Sequence, residues 1–199
     1  MSRVFILSPA NTSGVRGRLV MNEGAEFELA LRLRQEGAPL GDVFTFISGL
    51  YFRGKSAYSR AFAAPPLGAP GSLVITAGYG LLPLETLISS GDLRTISGIP
   101  IDLNELQYRA PLERDALNLK QIIAPECEVV LLGSIATAKY LEPLIDIFGS
   151  RLLFPSEFVG RGDMSRGGLM LRSAREGIEL DYVPASGAIL RGRRPPKLK

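Results

Sequence analysis

The chain has 199 residues, of which 46% are apolar, and a formal net charge of +3, so it is long enough for one compact domain with a sizeable core. It contains no histidine and a single cysteine, Cys127, which excludes an internal disulfide and argues against a zinc or iron–sulfur site. We therefore expect no metal and no cofactor. No apolar run reaches the roughly 18 residues of a membrane-spanning helix, and the cysteine usage fits a reducing cytoplasm.

The positive charge is concentrated at the C-terminal end. Residues 191–199 hold five basic side chains and no acid, which leaves 18 basic against 20 acidic residues in the remainder, a net charge of −2. We interpret residues 1–190 as a single domain and residues 191–199 as a basic, flexible tail. Such a tail is either simply solvated or adds non-specific contacts to phosphate.

Short apolar runs predict the strands. A run that is too short for a signal peptide, residues 4–7 (VFIL), predicts the first strand. Further strands are predicted at residues 43–47, 73–76, 129–132, 151–154, 169–173 and 180–183. Residues 99–103 are predicted to be a short strand or an extended segment. Helical spacing of apolar residues predicts helices at residues 26–35, 56–63 (after a turn at 49–54), 84–89, 112–123 and from Ser134 to Phe148.

Strands and helices thus alternate along the chain. This alternation predicts an α/β fold, a three-layer sandwich around a central, mostly parallel sheet. Residues 155–168, a polar glycine-rich stretch after the strand at 151–154, are predicted to form a loop at one edge of the sheet. Ligands bind at the carboxyl ends of the strands in open sheets, although an ordinary solvated loop would show the same composition.

Two other polar segments converge on that edge if their strands are parallel. The first strand is followed directly by Ser8-Pro9-Ala10-Asn11, and Asp102 and Asn104 lie in the segment 101–104. An amide, a carboxylate and a glycine-rich basic loop would then surround one cleft.

Two motifs in this arrangement resemble the uracil-DNA glycosylase superfamily. Residues 130–136 (VLLGSIA) are similar to that family's apolar run followed by Leu-Gly-x-x-Ala, and residues 152–156 (LLFPS) are similar to its strand ending in Pro-Ser, with Phe154 in place of the family's histidine. Residues 8–17 resemble its first loop, in which an Asn or Asp positions water. The resemblance implies a uracil-DNA-glycosylase-like fold and hydrolysis of the N-glycosidic bond of a base flipped out of DNA. An amide and a carboxylate in the cleft suit that reaction, because positive charge develops on the sugar and negative charge on the departing base.

The resemblance implies that Asn11 orients the attacking water, and residue chemistry makes Asp102 the stronger candidate for stabilising charge. A carboxylate that caps a loop is the alternative for Asp102. Base contacts are predicted for Asn104, Tyr79, Tyr51 and Ser8. Asn104 would read a base edge, unless it only forms a turn, and a tyrosine would stack on the extruded base, unless it is a half-buried core residue.

Contacts to DNA are predicted mainly in the glycine-rich stretch. Its arginines suit phosphates and Met164 could wedge into the base stack, although a core contact would also explain Met164. We expect Asp163 to pair with Arg161 or Arg166. The predicted DNA-binding residues are Ser134, Lys139, Ser156, Arg161, Met164, Ser165 and Arg166.

A second resemblance covers the middle of the chain. Residues 49–55 (GLYFRGK) and 74–82 (VITAGYGLL) are similar to a pattern of the YaaA peroxide-stress family and of the glycosylase-like domain of archaeosine synthases. Both resemblances imply a protein that acts on nucleic acid. We therefore expect a DNA glycosylase for a modified base, in repair or in defence against phage with modified DNA. The alternatives are a non-catalytic DNA-binding protein of the YaaA type and a nucleoside or nucleotide N-glycosidase.

Overall fold

The computed structural model describes residues 1–134 and 138–186. The predicted tail and the predicted first turn of the helix after Ser134 lie outside these residues. The helices are α1 (Val15–Met21), α2 (Glu28–Gln35), α3 (Leu40–Ser48), α4 (Leu50–Phe62), α5 (Ser90–Gly98), α6 (Leu106–Ile122), α7 (Ala138–Phe148) and α8 (Asp163–Glu176). The strands are β1 (Arg3–Leu7), β2 (Ala38–Pro39), β3 (Ser72–Thr76), β4 (Gly80–Pro83), β5 (Leu87–Ile88), β6 (Glu128–Leu132), β7 (Leu152–Pro155) and β8 (Tyr182–Pro184).

The fold is α/β, as predicted, with a central sheet of six strands in the order β4-β3-β1-β6-β7-β8. The four inner strands β3, β1, β6 and β7 are parallel, and the two edge strands β4 and β8 run antiparallel to their neighbours. Helix α4 packs against α8 and helix α6 against α7. Helices flank the sheet, which is consistent with three layers. Strands β2 and β5 form a separate small ladder.

The four inner strands are where the sequence prediction succeeds. Each is a continuous apolar run, which is typical of strands that are covered on both faces, and their bounds differ from the predicted ones by at most one residue. The last four residues of β1 are fully buried, as are the last four of β6. These runs therefore form the centre of the core.

Several other predictions are wrong. Residues 43–47 lie in α3 rather than in a strand, and there Val43, Phe44 and Ile47 are buried at helical spacing. The predicted turn at 49–54 begins α4. Residues 84–89 contain β5 instead of a helix, and of the two alternatives for residues 99–103 the strand is not formed. Helices α1 and α5 and strands β2 and β4 were not predicted.

The C-terminal part differs most from the prediction. The glycine-rich stretch is not one loop, because a 3₁₀ turn occupies Ser156–Phe158 and α8 begins at Asp163. The predicted strand at 169–173 lies inside α8, and the last strand is shifted to Tyr182–Pro184. Residues 167 and 168 are both glycine, and this composition suggested a loop, but Gly167 is buried where α8 packs on α4.

Candidate active site

A cavity of about 320 Å³ lies beyond the carboxyl ends of β1 and β6. The connection from β1 leads to β3 on one side, and the chain then returns to β6 on the other side of β1. The crevice between β1 and β6 is thus the point where the strand order reverses, which is the usual ligand site of an open parallel sheet. The residues around the cavity are Ser8, Pro9, Ala10, Asn11, Ser48, Tyr51, Ile101, Ser134, Lys139, Tyr140 and Asp163.

A second cavity of about 240 Å³ adjoins the first. Five residues line both: Pro9, Ala10, Asn11, Ile101 and Lys139. The loop after β1 therefore lies between the two cavities, and the side chain of Lys139 borders both. This arrangement is roomy enough for an extended ligand such as a nucleotide.

Lys55 lies fully buried behind the loop after β1, and it was not among the site residues predicted from the sequence. Its Nζ donates to the carbonyl oxygen of Ser8 at 2.6 Å and to the Ser8 hydroxyl at 3.0 Å. The same Nζ lies 4.4 Å from the ring centroid of Tyr51 and 4.8 Å from that of Phe52. Burial lowers the pKa of Lys55 to about 7, against the opposing effect of the Asp163 carboxylate.

Two tyrosines line the cavity. Tyr51, a predicted base-stacking residue, is buried, and its hydroxyl has no hydrogen-bond partner of regular geometry in the described part of the chain. Burial raises the pKa of Tyr51 to about 12, opposed by the nearby Arg166 guanidinium. Burial also raises the pKa of the half-buried Tyr140 to about 12, so both phenols stay neutral and present aromatic surface.

Asp163 supplies the carboxylate that faces the cavity. It lies in the first turn of α8, and its side chain is 65% exposed. Its Oδ1 is 3.6 Å from Nη1 of Arg166, which is one of the two ion pairs predicted for Asp163. Its charge raises the pKa of both cavity tyrosines and of Lys55. Asp163 was predicted only as an ion-pair partner, and its position at the cavity wall was missed.

Asn11 is exposed at the boundary between the two cavities. Its Oδ1 accepts hydrogen bonds from the backbone N–H of Ser13 at 3.3 Å and from the Ser13 hydroxyl at 2.7 Å. This contact holds the loop in a side-chain-stabilised turn. The carbonyl oxygen of the side chain is thereby occupied, and its NH₂ group is the part left to meet a ligand.

Asp102 and Asn104 bind each other outside the cavity lining. Oδ1 of Asp102 accepts from the backbone N–H of Asn104 at 2.9 Å and from its side-chain nitrogen at 3.1 Å, and both residues are exposed. This is the loop-capping arrangement that the sequence left open as an alternative. Only Ile101 of this segment reaches the cavities.

Tyr79 also lies away from both cavities. Its hydroxyl donates to Oδ1 of Asp92 at 2.7 Å, and this hydrogen bond raises the pKa of Tyr79. Asp92 belongs to the capping box at the start of α5, which Ser89 completes. Tyr79 therefore anchors a helix in this structure, and Tyr140 takes the place of a second aromatic residue in the cavity.

The predicted DNA-binding residues divide into three groups. Ser134 and Lys139 line the cavity. The second group lies around the start of α8, where Met164 is exposed and Arg161 and Ser165 are half-buried. Arg161 donates to the Glu157 carbonyl oxygen and to the Ser165 hydroxyl. In the third group, Ser156 donates to its neighbour Glu157, and Arg166 is only 8% exposed.

Arg166 is thus a correction to the sequence prediction. Its Nε and Nη2 donate to the carbonyl oxygen of Phe158 at 3.2 and 3.1 Å, and its guanidinium lies near the Phe158 ring. A buried guanidinium engaged in this way fixes the start of α8 to the preceding 3₁₀ turn. It is not placed to bind a phosphate group.

The described residues contain no group of three or more His, Cys, Asp or Glu side chains that could hold a metal ion. Within the same ranges, no helix has the length and apolar character that crossing a membrane requires. Comparison of the chain with protein-family models, with curated proteins and with solved structures finds no match.

Proposed function

We propose that this protein is a DNA glycosylase that hydrolyses the N-glycosidic bond of a base extruded into the 320 Å³ cavity. The observation that carries the proposal is the combination of two neutral tyrosines, an amide and one carboxylate around a cavity at the strand-order reversal. The order of the inner strands and the place of the cavity after β1 and β6 also support a uracil-DNA-glycosylase-like fold, since two of the resembling segments, residues 8–17 and 130–136, lie at these two strand ends.

The residues divide the chemistry as follows. Tyr51 and Tyr140 offer aromatic surface on which a flipped base stacks. The bond between the base nitrogen and the sugar breaks, the electron pair leaves with the base, and the Asp163 carboxylate stabilises the positive charge on the sugar. Water then adds to the sugar carbon, and its proton is released to the departing base or to solvent.

Asn11 contributes its NH₂ group, because Ser13 occupies its side-chain oxygen. An N–H donor near the base stabilises the negative charge that develops there, and it can also hold the attacking water. Asp102, the carboxylate favoured by the sequence, is replaced in this proposal by Asp163, because Asp163 lines the cavity and Asp102 caps a turn.

Contacts to the DNA backbone are available near the mouth. The exposed residues Arg16 and Arg18 follow the loop after β1, and Lys139 borders both cavities. Arginine and lysine contacts to phosphate position DNA without reading its sequence, and they make binding weaker as salt increases.

The test is the formation of abasic sites in single- and double-stranded DNAs that carry a panel of modified bases. We expect abasic product with at least one base, and loss of about 100-fold or more in rate for Asp163→Asn and Asn11→Ala. Asp102→Ala is the matched control and should keep most of the activity. Tight DNA binding without product from any substrate would reject the proposal.

One observation favours a non-catalytic DNA-binding protein of the YaaA type as the second candidate. Oδ1 of Asp163 lies 3.6 Å from Arg166, and the side-chain oxygen of Asn11 is an amide oxygen bonded to Ser13, so the described lining residues offer no carboxylate without an ion-pair partner. Salt-dependent DNA binding that persists in Asp163→Asn, together with the absence of product, would identify this function.

A further inference from the structure

The contact between Lys55 and Ser8 determines the direction of the Ser8 hydroxyl proton. A protonated lysine has three donors and no acceptor, so the 3.0 Å contact uses the Ser8 oxygen as acceptor. The hydroxyl hydrogen of Ser8 must then point elsewhere, and no described residue accepts it. Because Ser8 lines the cavity, its hydroxyl is a donor available to a ligand.

The backbone of the loop adds two donors on the same side. Among the described residues, the N–H groups of Ala10 and Asn11 have no hydrogen-bond acceptor. Ala10 is buried and both residues line the two cavities. Ala10 is a buried residue, and a buried backbone N–H without a partner is rare, whereas Asn11 is exposed. Successive N–H groups in a loop are a common way to bind an anion.

The charges around this loop favour an anion as well. The ammonium of Lys55 is fully buried and makes its hydrogen bonds to neutral oxygens rather than to a carboxylate. Lys139 borders both cavities, while Asp163, the one acidic side chain among the described lining residues, is paired with Arg166. A buried, unpaired positive charge is stabilised by an anion placed near it.

We infer that the Ser8 hydroxyl and the N–H groups of Ala10 and Asn11, supported from behind by Lys55, form a binding subsite for a phosphate group. Lys55 acts here as a positioning residue, because it holds Ser8 and does not itself line the cavity. The subsite lies in the cavity of the proposed function and deepens it by naming a phosphate of the substrate, but phosphate binding does not depend on hydrolysis.

Inorganic phosphate is the first probe, measured by calorimetric titration at about pH 6, where Lys55 is protonated. We expect saturable binding to the intact chain and a loss of about tenfold in affinity for Ser8→Ala, which removes one hydrogen bond to a charged group. Ser59→Ala is the matched control, because Ser59 is a buried serine that bonds within its own helix.

Lys55→Met tests whether Lys55 positions Ser8 for phosphate binding. Lys120→Met is its control, since Lys120 also donates to a carbonyl oxygen but lies outside both cavities. Circular dichroism checks that each variant is folded. If Lys55→Met does not fold, Ser8→Ala alone decides. No saturable binding to the intact chain, or equal affinity of Ser8→Ala and the unchanged chain, overturns the inference.

Competition identifies the source of the phosphate. Displacement of inorganic phosphate by a deoxynucleoside 5′-monophosphate but not by an oligonucleotide points to a free nucleotide, and displacement by the oligonucleotide points to the DNA backbone. Failure of both to displace it overturns the inference for this cavity. Phosphate binding without abasic product would reject only the proposed function, and abasic product without phosphate binding would reject only the subsite.

Discussion

Gly54 on α4 and Gly167 on α8 lie face to face where the two helices cross. A Cβ built on Gly54 would be 2.6 Å from the carbonyl oxygen of Gly167, and one built on Gly167 would be 2.7 Å from the carbonyl oxygen of Leu50. The backbones can approach this closely only because neither residue has a side chain. This approach brings Tyr51 of α4 to the same cavity wall as Asp163 of α8, with Lys55 buried behind Ser8.

We therefore predict that Gly54→Ala destabilises the fold by about 1 to 3 kcal/mol, because the added methyl group meets backbone that must move. Urea denaturation measures the change. Gly168→Ala is the matched control on α8, since a Cβ there has no neighbour within 4 Å. It should be neutral or stabilise by up to about 1 kcal/mol through helix propensity. Equal effects of the two substitutions would contradict the prediction.

A chain of hydrogen bonds joins α4 to the last strand. The Tyr182 hydroxyl donates to the Glu179 carboxylate at 2.8 Å. Because its proton is used there, the Tyr58 hydroxyl donates to the Tyr182 oxygen, at 2.6 Å. The Tyr58 oxygen in turn accepts from the buried N–H of Leu180 at 2.9 Å. Tyr58→Phe leaves that N–H without a partner and should destabilise the chain by about 1 to 3 kcal/mol in denaturant.

The control for Tyr58→Phe is Tyr79→Phe, which removes a hydrogen bond to Asp92 near the surface, where water can replace the hydroxyl. It should change stability by about 1 kcal/mol or less. If Tyr79→Phe were the more destabilising variant, the importance assigned to the buried network would be wrong.

The titration of Lys55 predicts how stability changes with pH. The pKa of Lys55 is the ordinary 10.5 in the unfolded chain and about 7 in the folded chain, because burial disfavours the charged ammonium. Its neighbours are Ser8, Tyr51 and Phe52, and the charged residues Asp163 and Arg166 lie on the facing helix α8. Between these values the unfolded chain binds one more proton than the folded chain. Stability therefore rises with pH, by up to about 1.4 kcal/mol per pH unit from this group.

The rise should be visible in urea denaturation from pH about 7.5 to about 9.5. Above about pH 10 the raised pKa values of Tyr51 and Tyr140 act in the opposite direction, because those phenols keep their protons only in the fold. Lys55→Met removes the titrating group, so the slope in this window should fall to the contribution of the other groups. An unchanged slope would show that Lys55 does not titrate there.

Asp102 and Asp163 are predicted to differ in kind. Asp102→Ala removes a turn-stabilising contact to Asn104 at the surface and should change stability by about 1 kcal/mol, with DNA binding unchanged. Asp163→Asn removes a charge from the cavity wall and should lower the rate of any hydrolysis while the fold is kept. The rate of product formation and the free energy of unfolding are measured for both variants. A loss of activity in Asp102→Ala together with full activity in Asp163→Asn would contradict the prediction.

The sequence by itself determined the centre of the fold. A strand that is covered on both faces is apolar at nearly every position, so β1, β3, β6 and β7 could be recognised from four short runs of residues. The order of these runs between helical segments also predicted the α/β class. The absence of histidine and the single cysteine limit the candidate chemistry as well.

Tertiary structure decided the rest, for two physical reasons. Short segments of aromatic and β-branched residues suit either a strand or a buried helix, and α3 became helical because its apolar residues pack at helical spacing in this core. The site depends on long-range contacts: Lys55 reaches Ser8 across 47 positions of sequence. Only the order of the strands and the close crossing of α4 and α8 bring Lys55, Ser8 and Asp163 together, and no local pattern encodes that crossing.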